Sequence, residues 1–577
     1  MNEGHSAFAS LERLSQMVQA NGMDLKTAME VLPRTTVFTT HTPVAAGHDD
    51  FPVDMVTPCL RSFEPPLSTN VGNIVRWGQP QGAAPETPLS MFILGKRMSA
   101  HCNGVSELHG AVARRMWHHL WPGIPEDEVP ITHVTNGVHI PTWTSTETSL
   151  LFERYIGPDW HLAVGQSDNG HRLEEMYDEE LWHAHEINRA RLIRACRRRM
   201  ADQYGRRNAP ITIMKEVESV LDQDILTIAF ARRFATYKRA NLMLQDPDRL
   251  EAMITSQERP VQFIFAGKAH PQDNEGKELI RRLVEFGRRP SVRHRFIFIE
   301  NYDMQLARRL IQGADIWLNT PRRPFEACGT SGMKAAVNGV LNVSVLDGWW
   351  CEGYDDQRGW RIGNGEEFED ADYQDRIEGQ ALFNVLENEV IPCFYERESG
   401  GLPLRWLKKM KASMKMAMQD FSAQRMVGQY SARFYAAAAR QYHELLADEA
   451  RQAVEMSQTN ARLVKLWKDV VVDFPVLQTE GPMRVGDLLQ VSVLVNLGAI
   501  KPAEVEVELC YGPPKTVDRL EVTYRKTMTV LEELSDNRYL YGCTLPCDAA
   551  GRYGFTARVT PKGDIWTRYT PGLIAWA

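Results

Sequence analysis

Residues 324–347 read PFEACGTSGMKAAVNGVLNVSVLD, and within them small polar residues, one lysine and an apolar run follow closely. Gly329, Thr330, Ser331 and Gly332 suit a tight turn that leaves backbone N–H groups free, and 333–337 continues as a short apolar helix. Free donors at a helix start and the positive end of its dipole point the same way, so such a turn can hold a phosphate. Lys334 sits near that start among Met333, Ala335, Ala336 and Val337. Apolar company lowers a lysine's pKa and makes its amine nucleophilic toward aldehydes. One reading is a Schiff-base lysine beside a phosphate cradle, the pairing that pyridoxal phosphate (PLP) requires. The other is a helix lysine that snorkels to water. Spacing alone leaves both open.

The elements that must position these residues show in the surrounding pattern. Val and Leu dominate 340–346, which predicts a strand covered on both faces. From residue 225, strand-like runs alternate with helical ones: 225–231 then 237–255, 261–266 then 274–286, 295–300 then 304–313, 316–319 then 331–338, and 340–346. This βα alternation predicts a parallel, doubly wound sheet, in which ligands sit past the carboxyl ends of the strands. Polar residues gather there. Arg232, Arg233, Tyr237 and Lys238 follow the first strand, Lys268 the second, Tyr302 the third, and the 329–334 segment the fourth. Several cations and a helix N-terminus in one crevice suit an anion, and more than one phosphate.

Before the alternation, 2–21 predicts a helix with Phe8, Leu11, Leu14 and Val18 on one face, and 25–32 a second that ends at Pro33. A strand over 35–40 delivers His41 into a loop. Gly and Pro mark 65–88 as loop, 89–100 and 105–117 are helical, and Asn136-Gly137 signals a turn. The charged helix at 173–208 carries an arginine-rich part, read as a solvated amphipathic face rather than an RNA contact. In the helical 370–451, Trp406, Leu407, Met410, Met414 and Met418 form an apolar stripe, read as core. Beyond 462, runs such as LLQVSVLVNLG, AEVEVELCYG, RLEVTYRKTMTVL and RYGFTARVTP alternate with period two between turns, which predicts an all-β sandwich. Its Tyr511, Trp566 and Tyr569 offer either a glycan face or packing.

A chain of 577 residues exceeds one domain. The divisions expected are 1–145, 146–460 and 461–577. Hydrophobic content of 43% and charged content of 24% are those of a soluble globular protein. A net charge of −8 argues against general electrostatic binding to nucleic acid. The nine cysteines are scattered and odd in number, which reads as reduced thiols in the cytoplasm. His118 and His119, or His183 and His185, lack further ligands at metal-binding spacing, so no metal is expected. No apolar run is long enough to span a bilayer and MNEGHSAF is no signal peptide, so no membrane is expected either.

The segment E-A-C-G-T-S-G-M-K-A-A-V-N-G closely resembles the PLP-lysine segment of the glycogen/α-glucan phosphorylases, which usually reads E-A-S-G-T-x-x-M-K-x-x-x-N-G. Cys328 stands where that family usually has Ser. T-T-H-T-P, V-T-N-G, R-R-F-x-x-Y-K-R, G-K-A-x-P and E-N-Y resemble the same family in the same order, from residue 2 to about 360. The resemblance implies an α/β glycosyltransferase of the two-lobed GT-B type, with the doubly wound parallel sheet in the second lobe, an incomplete first lobe and a C-terminal all-β module. It implies reversible phosphorolysis of α-1,4-glucan (glycogen, starch or maltodextrin) to α-D-glucose 1-phosphate, with the phosphate of PLP in acid/base catalysis. By that resemblance Lys334 carries PLP, and Thr330, Ser331, Gly332, Tyr302, Arg232 and Lys238 surround it. Arg233, Lys238 and His41 form the implied catalytic set. Asn136, His41, Glu326, Cys328, Gly329 and Arg233 would face sugar or phosphate. A thiol at 328 is a weaker hydrogen-bond partner than a hydroxyl.

Two rivals share the motifs. Nucleotide-sugar-dependent glucan synthases of the same fold look similar around R-x4-K but carry a second Glu eight residues after the first. Lys334 stands at that distance from Glu326. A degenerate glucan-binding protein is the other, and an intact Lys334, Arg233 and Lys238 oppose decay. Retaining glycosidases use two carboxylates about 5 Å apart, and the motifs offer no obvious such pair. The family's first lobe carries a glycine-rich loop, roughly G-x-G-G-L-G, that is not found in these residues. The opening N-E-G-H-S-A-F resembles a point inside that lobe. The expectation is an N-terminally truncated chain that binds cofactor without turnover by itself. The partners implied are α-1,4-glucan with orthophosphate or glucose 1-phosphate, and a homo-oligomer is compatible with the composition.

Overall fold

Apolar residues three and four apart at the N-terminus build α1 (Phe8–Ala20), which buries Leu11, Leu14 and Met17. The Asp24 carboxylate caps α2 (Leu25–Arg34) by accepting the N–H groups of Lys26 and Thr27 at 3.0 and 3.1 Å. This helix runs through Pro33 instead of stopping before it. So close to the helix end, the proline removes a single backbone bond. The structure is a computed structural model that describes residues 1–577 except 21, 45–46, 163–168, 398–400, 479–483, 517–518, 521 and 549. The chain packs as two units: 1–103 with 113–132 and 433–577, and 104–112 with 133–432.

In the first unit β1 (Val37–Thr39) pairs in parallel with β2 (His101–Gly104), Val37 opposite His101 and Thr39 opposite Asn103. The region expected as loop at 65–88 contains the helices Glu64–Leu67 and Val71–Trp77. Pro65 and Pro66 sit in the first turn of one, where no N–H is needed, and Asn70 caps the other through the N–H of Asn73 at 2.9 Å. The helix α3 (Met91–Arg97) follows.

The second unit holds the parallel sheet. Its strands are β3 (Leu226–Phe234), β4 (Val261–Ala269), β5 (Phe296–Ile299), β6 (Ile316–Asn319), β7 (Leu341–Val345) and β8 (Gly359–Ile362), in spatial order β8-β7-β6-β3-β4-β5. All neighbours are parallel, with Leu226 opposite Val261 and Ile228 opposite Ile316. The chain winds outward from β3 through β4 to β5 and, in the other direction, from β6 through β7 to β8. The β3/β6 boundary is therefore the topological switch point, the crevice where such sheets bind ligands. Near-continuous apolar runs such as Phe263–Ala266 are buried on both faces.

Helices of this unit include α4 (Ile140–Trp143), α5 (Asp178–Arg206), α6 (Pro247–Thr255), α7 (Asn274–Gly287), α8 (Met304–Gly313), α9 (Thr330–Val337) and α10 (Leu404–Asp420). The helix expected over 237–255 is shorter. A left-handed Arg239 interrupts the chain, and α6 starts afresh where Asp246 accepts the N–H of Arg249 at 3.0 Å. The arginines of α5 face acids: Arg199 meets Asp303 at 2.8 Å, while Arg189 is buried on Asp315 at 2.7 Å and so departs from a solvated face. The Met stripe of α10 is core, as its spacing predicted.

The first unit resumes with two helices within Ala436–Leu466, joined across a kink of non-helical backbone at 447–450, and an antiparallel sandwich. The strand β9 (Leu488–Asn496) pairs with β11 (Arg538–Pro546) in one sheet, and β10 (Val505–Gly512) with β12 (Gly554–Pro561) in the other. Val491, Val493, Val507, Leu509, Ala557 and Val559 fill the space between them. The stretch at 519–531 is not one strand. Tyr524–Thr527 pairs with β10, Thr529–Glu533 pairs with β11, and buried Met528 marks the switch between sheets. Among the described residues no helix is long and apolar enough to cross a membrane.

Candidate functional site

Two neighbouring strands end at the switch point, β3 with its basic residues and β6 before the 329–334 turn. Side chains alternate along a strand, so Arg232 is buried and Arg233 exposed. Close passage of the next strand depends on Gly267, where a Cβ would lie 2.0 Å from the Arg232 carbonyl oxygen. The Arg232 Nη2 donates to Glu326 Oε2 at 2.5 Å, and Lys238 Nζ stands 4.0 Å from the same oxygen. The Arg232 Nη1, although buried, has no hydrogen-bond partner among the described residues.

Burial, with Arg232 and Arg233 adding to it against the pull of Glu326, pushes the Lys238 ammonium down to about 8. Burial pushes the Tyr237 hydroxyl up to about 12 and raises that of Tyr302, which lies in the field of Arg232. Burial also works to raise the Glu326 carboxyl, but Arg232 and Lys238 outweigh it and hold the group below the usual range. Asp347 is different. Its oxygens accept the Glu326 and Gly348 N–H groups at 2.9 and 2.8 Å. Burial, with the Glu326 charge adding to it, holds its carboxyl well above the ordinary carboxylate range. The motifs offered no carboxylate pair, yet the fold places these two acids side by side. One is committed to cations and the other to backbone.

Left-handed Gly329 (φ +86°) begins the turn, and α9 follows. First-turn N–H groups lack the usual acceptor four residues back; here that of Gly332 donates to the Gly329 carbonyl at 3.3 Å. The indole N–H of Trp317 donates to Ser331 Oγ at 3.2 Å. A side chain at Gly332 would lie 2.5 Å from Asn342 Oδ1 and 2.9 Å from Trp349, so only glycine leaves room. The amine of Lys334 does not simply reach into water. It is half-buried with its Nζ 4.0 Å from the ring centroid of Trp143, and burial lowers its pKa. Trp143 is held in turn, its carbonyl accepting from Asn338 Nδ2 at 3.0 Å and Gln312 Nε2 at 3.2 Å.

Cys328 is buried, which raises its thiol, with Asn136 beside it acting the other way; the Asn136 N–H itself donates to the Val105 carbonyl at 3.0 Å. Asn136 and its neighbour are fixed by Arg425, which donates to the carbonyls of Asn136 and Thr135 at 2.9 and 2.7 Å. Ser106 Oγ donates to the Ala327 carbonyl at 2.6 Å. The fold thus brings together Arg232, Lys238, Glu326 and Gly329, sets Tyr302 and Arg233 in their field, and joins Asn136 to Cys328. Thr330, Ser331, Gly332 and Lys334 share α9 on the neighbouring strand's exit. His41 belongs to the first unit, where it is exposed and its N–H donates to Glu3 Oε2 at 2.7 Å. Trp143 and Asp347 escaped the sequence reading. The signals were there: a Trp seven residues after Asn136, and an acid closing an apolar strand.

A buried guanidinium with an unused N–H, a second cation, a helix start and a half-buried amine are what a phosphorylated aldehyde would need. Comparison with known proteins gives the family. Residues 83–355 match the family model described as carbohydrate phosphorylase, and 467–577 that described as glycogen phosphorylase C-terminal domain. The maltodextrin phosphorylase of Thermococcus litoralis is 39% identical, over 100% of this chain and 67% of that one. This chain belongs to the carbohydrate phosphorylase family. The glycogen phosphorylases of Mycobacterium tuberculosis (38% identical over 97% of this chain) and Aquifex aeolicus (37% over 75%) are further relatives. This phosphorylase chain spans 62 to 67% of the length of these three relatives. Both ends of the switch-point crevice, β3 and the lysine turn, fall inside the phosphorylase match.

Proposed function

We propose that this chain holds PLP on Lys334 and serves reversible phosphorolysis of α-1,4-glucan to α-D-glucose 1-phosphate in the cytoplasm. In this reading 1–145 is part of a first GT-B lobe, 146–460 the second lobe and 461–577 a β module. The observation that carries it is the unused, buried Nη1 of Arg232. An unpaired donor in a low-dielectric site is costly, and an anionic oxygen relieves that cost.

PLP, when bound, supplies its own phosphate as an acid/base group. The remaining work falls to the chain. Thr330 and Ser331 offer first-turn N–H groups to a phosphate, Gly332 keeps the turn free of a side chain, and Tyr302 is assigned beside them by its motif. Arg232, Arg233 and Lys238 offset the repulsion between anions held in contact, which grows steeply in a dry site. Glu326, released from Arg232 by an incoming oxyanion, becomes an acceptor for sugar hydroxyls. Asn136, Cys328 and Gly329 complete that sugar edge, and for His41 the motif alone supports a role.

Two measurements test the reading. Calorimetric titration should show orthophosphate and glucose 1-phosphate competing for one site that depends on Arg233 and Lys238. In any form of this chain that turns over, Lys238→Ala should cost ~2–4 kcal/mol of transition-state stabilisation in orthophosphate-dependent release of glucose 1-phosphate from maltodextrin, the scale of one preorganised charge contact. Tight binding of UDP-glucose or ADP-glucose, with no response to orthophosphate, would replace this reading with the synthase one.

A further inference from the structure

The first unit contains a cavity of about 860 Å³ whose lining includes none of the residues assigned to the phosphate and lysine site. Trp77, Trp121, Trp566 and Tyr569 line it, together with Lys96 of α3. Lys96 is 5% exposed. Its Nζ lies 5.1 Å from the ring centroid of Trp121 and 5.7 Å from that of Trp566. An ammonium has three N–H donors. Among the described residues the Lys96 Nζ donates to the Ser99 carbonyl at 3.0 Å and to no other acceptor.

Burial works against this charge, and among the described residues no carboxylate is paired with it. The one acid on the cavity wall, Glu30, is taken by Arg34 at 2.6 Å and Asn460 at 2.8 Å. The titratable neighbours bring no anion either. Burial pushes the Cys102 thiol up to about 12, and burial, with Lys96 adding to it, pushes the His101 imidazole down. Two indole faces soften the cost of a buried cation, but an uncompensated charge in such a place still calls for an anion. The walls around it are aromatic, which suits a flat apolar body stacked against them.

We propose that this cavity binds a flat apolar ring bearing a single carboxylate, with the carboxylate on Lys96 Nζ and the ring against the Trp121–Trp566 wall. Such a site lies outside the phosphorylase reading and does not depend on it. A neutral ring keeps only the stacking; a neutral polyol loses both the charge pair and most of the apolar contact.

The test is isothermal titration of the 577-residue chain with 1-naphthoate and with its neutral counterpart 1-naphthamide. Naphthoate should bind at least tenfold more tightly. Lys96→Met, which keeps the stem and removes the charge, should erase that difference and leave naphthamide within about threefold, while Trp566→Ala should weaken both probes. Equal affinity of the two probes for the parent, no binding of either, or an undiminished preference in Lys96→Met overturns the proposal. Should Lys96→Met fail to fold by circular dichroism, Trp566→Ala at its half-buried position decides: naphthoate binding unchanged there overturns the site as well.

Discussion

Glu326 occupies the cations that a phosphate would need, accepting Arg232 at 2.5 Å with Lys238 4.0 Å away. An anion that meets the free Arg232 Nη1 therefore competes with Glu326 for these cations. Glu326→Gln should tighten orthophosphate binding about tenfold, equivalent to ~1.4 kcal/mol, while weakening any sugar that needs the carboxylate. Calorimetry with orthophosphate alone reads this directly, and an affinity that falls or stays constant contradicts it. Lys238 adds a pH dependence. Its pKa of about 8 means it is an ammonium below that pH and a neutral amine above it. Orthophosphate affinity should fall between pH 7 and 9, and Lys238→Met should flatten that part of the profile. A parent profile that is flat or rising would count against the assignment. The lysine, the arginine pair and Glu326 were legible because each sits inside a rigid local motif. Trp143 against Lys334 and Asp347 beneath Glu326 were not, because each depends on a contact between distant stretches. Burial and partnership decide their roles, and neither is written in residue type.

The strands of the parallel sheet were legible because burial on both faces leaves continuous apolar runs. The edge strand β8 is only four residues and carries an exposed Arg361, so it has no such signature. In 64–77, caps outweighed the Gly and Pro that had marked a loop. At the switch point the loop after β7 must pass close under the lysine turn, and Gly348 makes this possible. Its φ is +53°, and a Cβ there would stand 2.4 Å from the Cys328 carbonyl oxygen. Gly348→Ala should destabilise the second unit by about 1–3 kcal/mol, from strain and overpacking together. Urea unfolding followed by tryptophan emission measures this, and a neutral substitution would show that the turn has room the geometry denies. Asp315 anchors the opposite end of the sheet, accepting His185, Arg189 and the Thr227 N–H at 2.7, 2.7 and 2.8 Å. Burial alone would raise its pKa, but Arg189 and His185 outweigh burial and depress it below the unfolded value. Its contribution is present above the ordinary carboxylate pKa and is lost as pH falls through the depressed one.

Over the whole molecule, the C-terminal sandwich is tied into its own unit by charge as well as by apolar packing. Fully buried Arg558 donates to Glu128 at 2.8 and 2.6 Å and to Glu508 at 2.9 Å. Glu128→Ala should cost about 3–5 kcal/mol, since it leaves a buried cation short of a partner, and should lower the first unit's melting transition while leaving orthophosphate binding intact. Loss of both together would mean that the sandwich supports the phosphate site after all. The family assignment reaches across both units, through the phosphorylase match at 83–355 and the C-terminal match at 467–577. The claim on which the functional reading stands is narrower: that Lys334 is the residue that holds PLP. Incubation of the chain with PLP, borohydride reduction and peptide mapping test it directly. The account predicts a pyridoxyl mass on Lys334, and no retained cofactor absorbance in Lys334→Ala. Labelling at another lysine, or none in folded protein saturated with PLP, would contradict it.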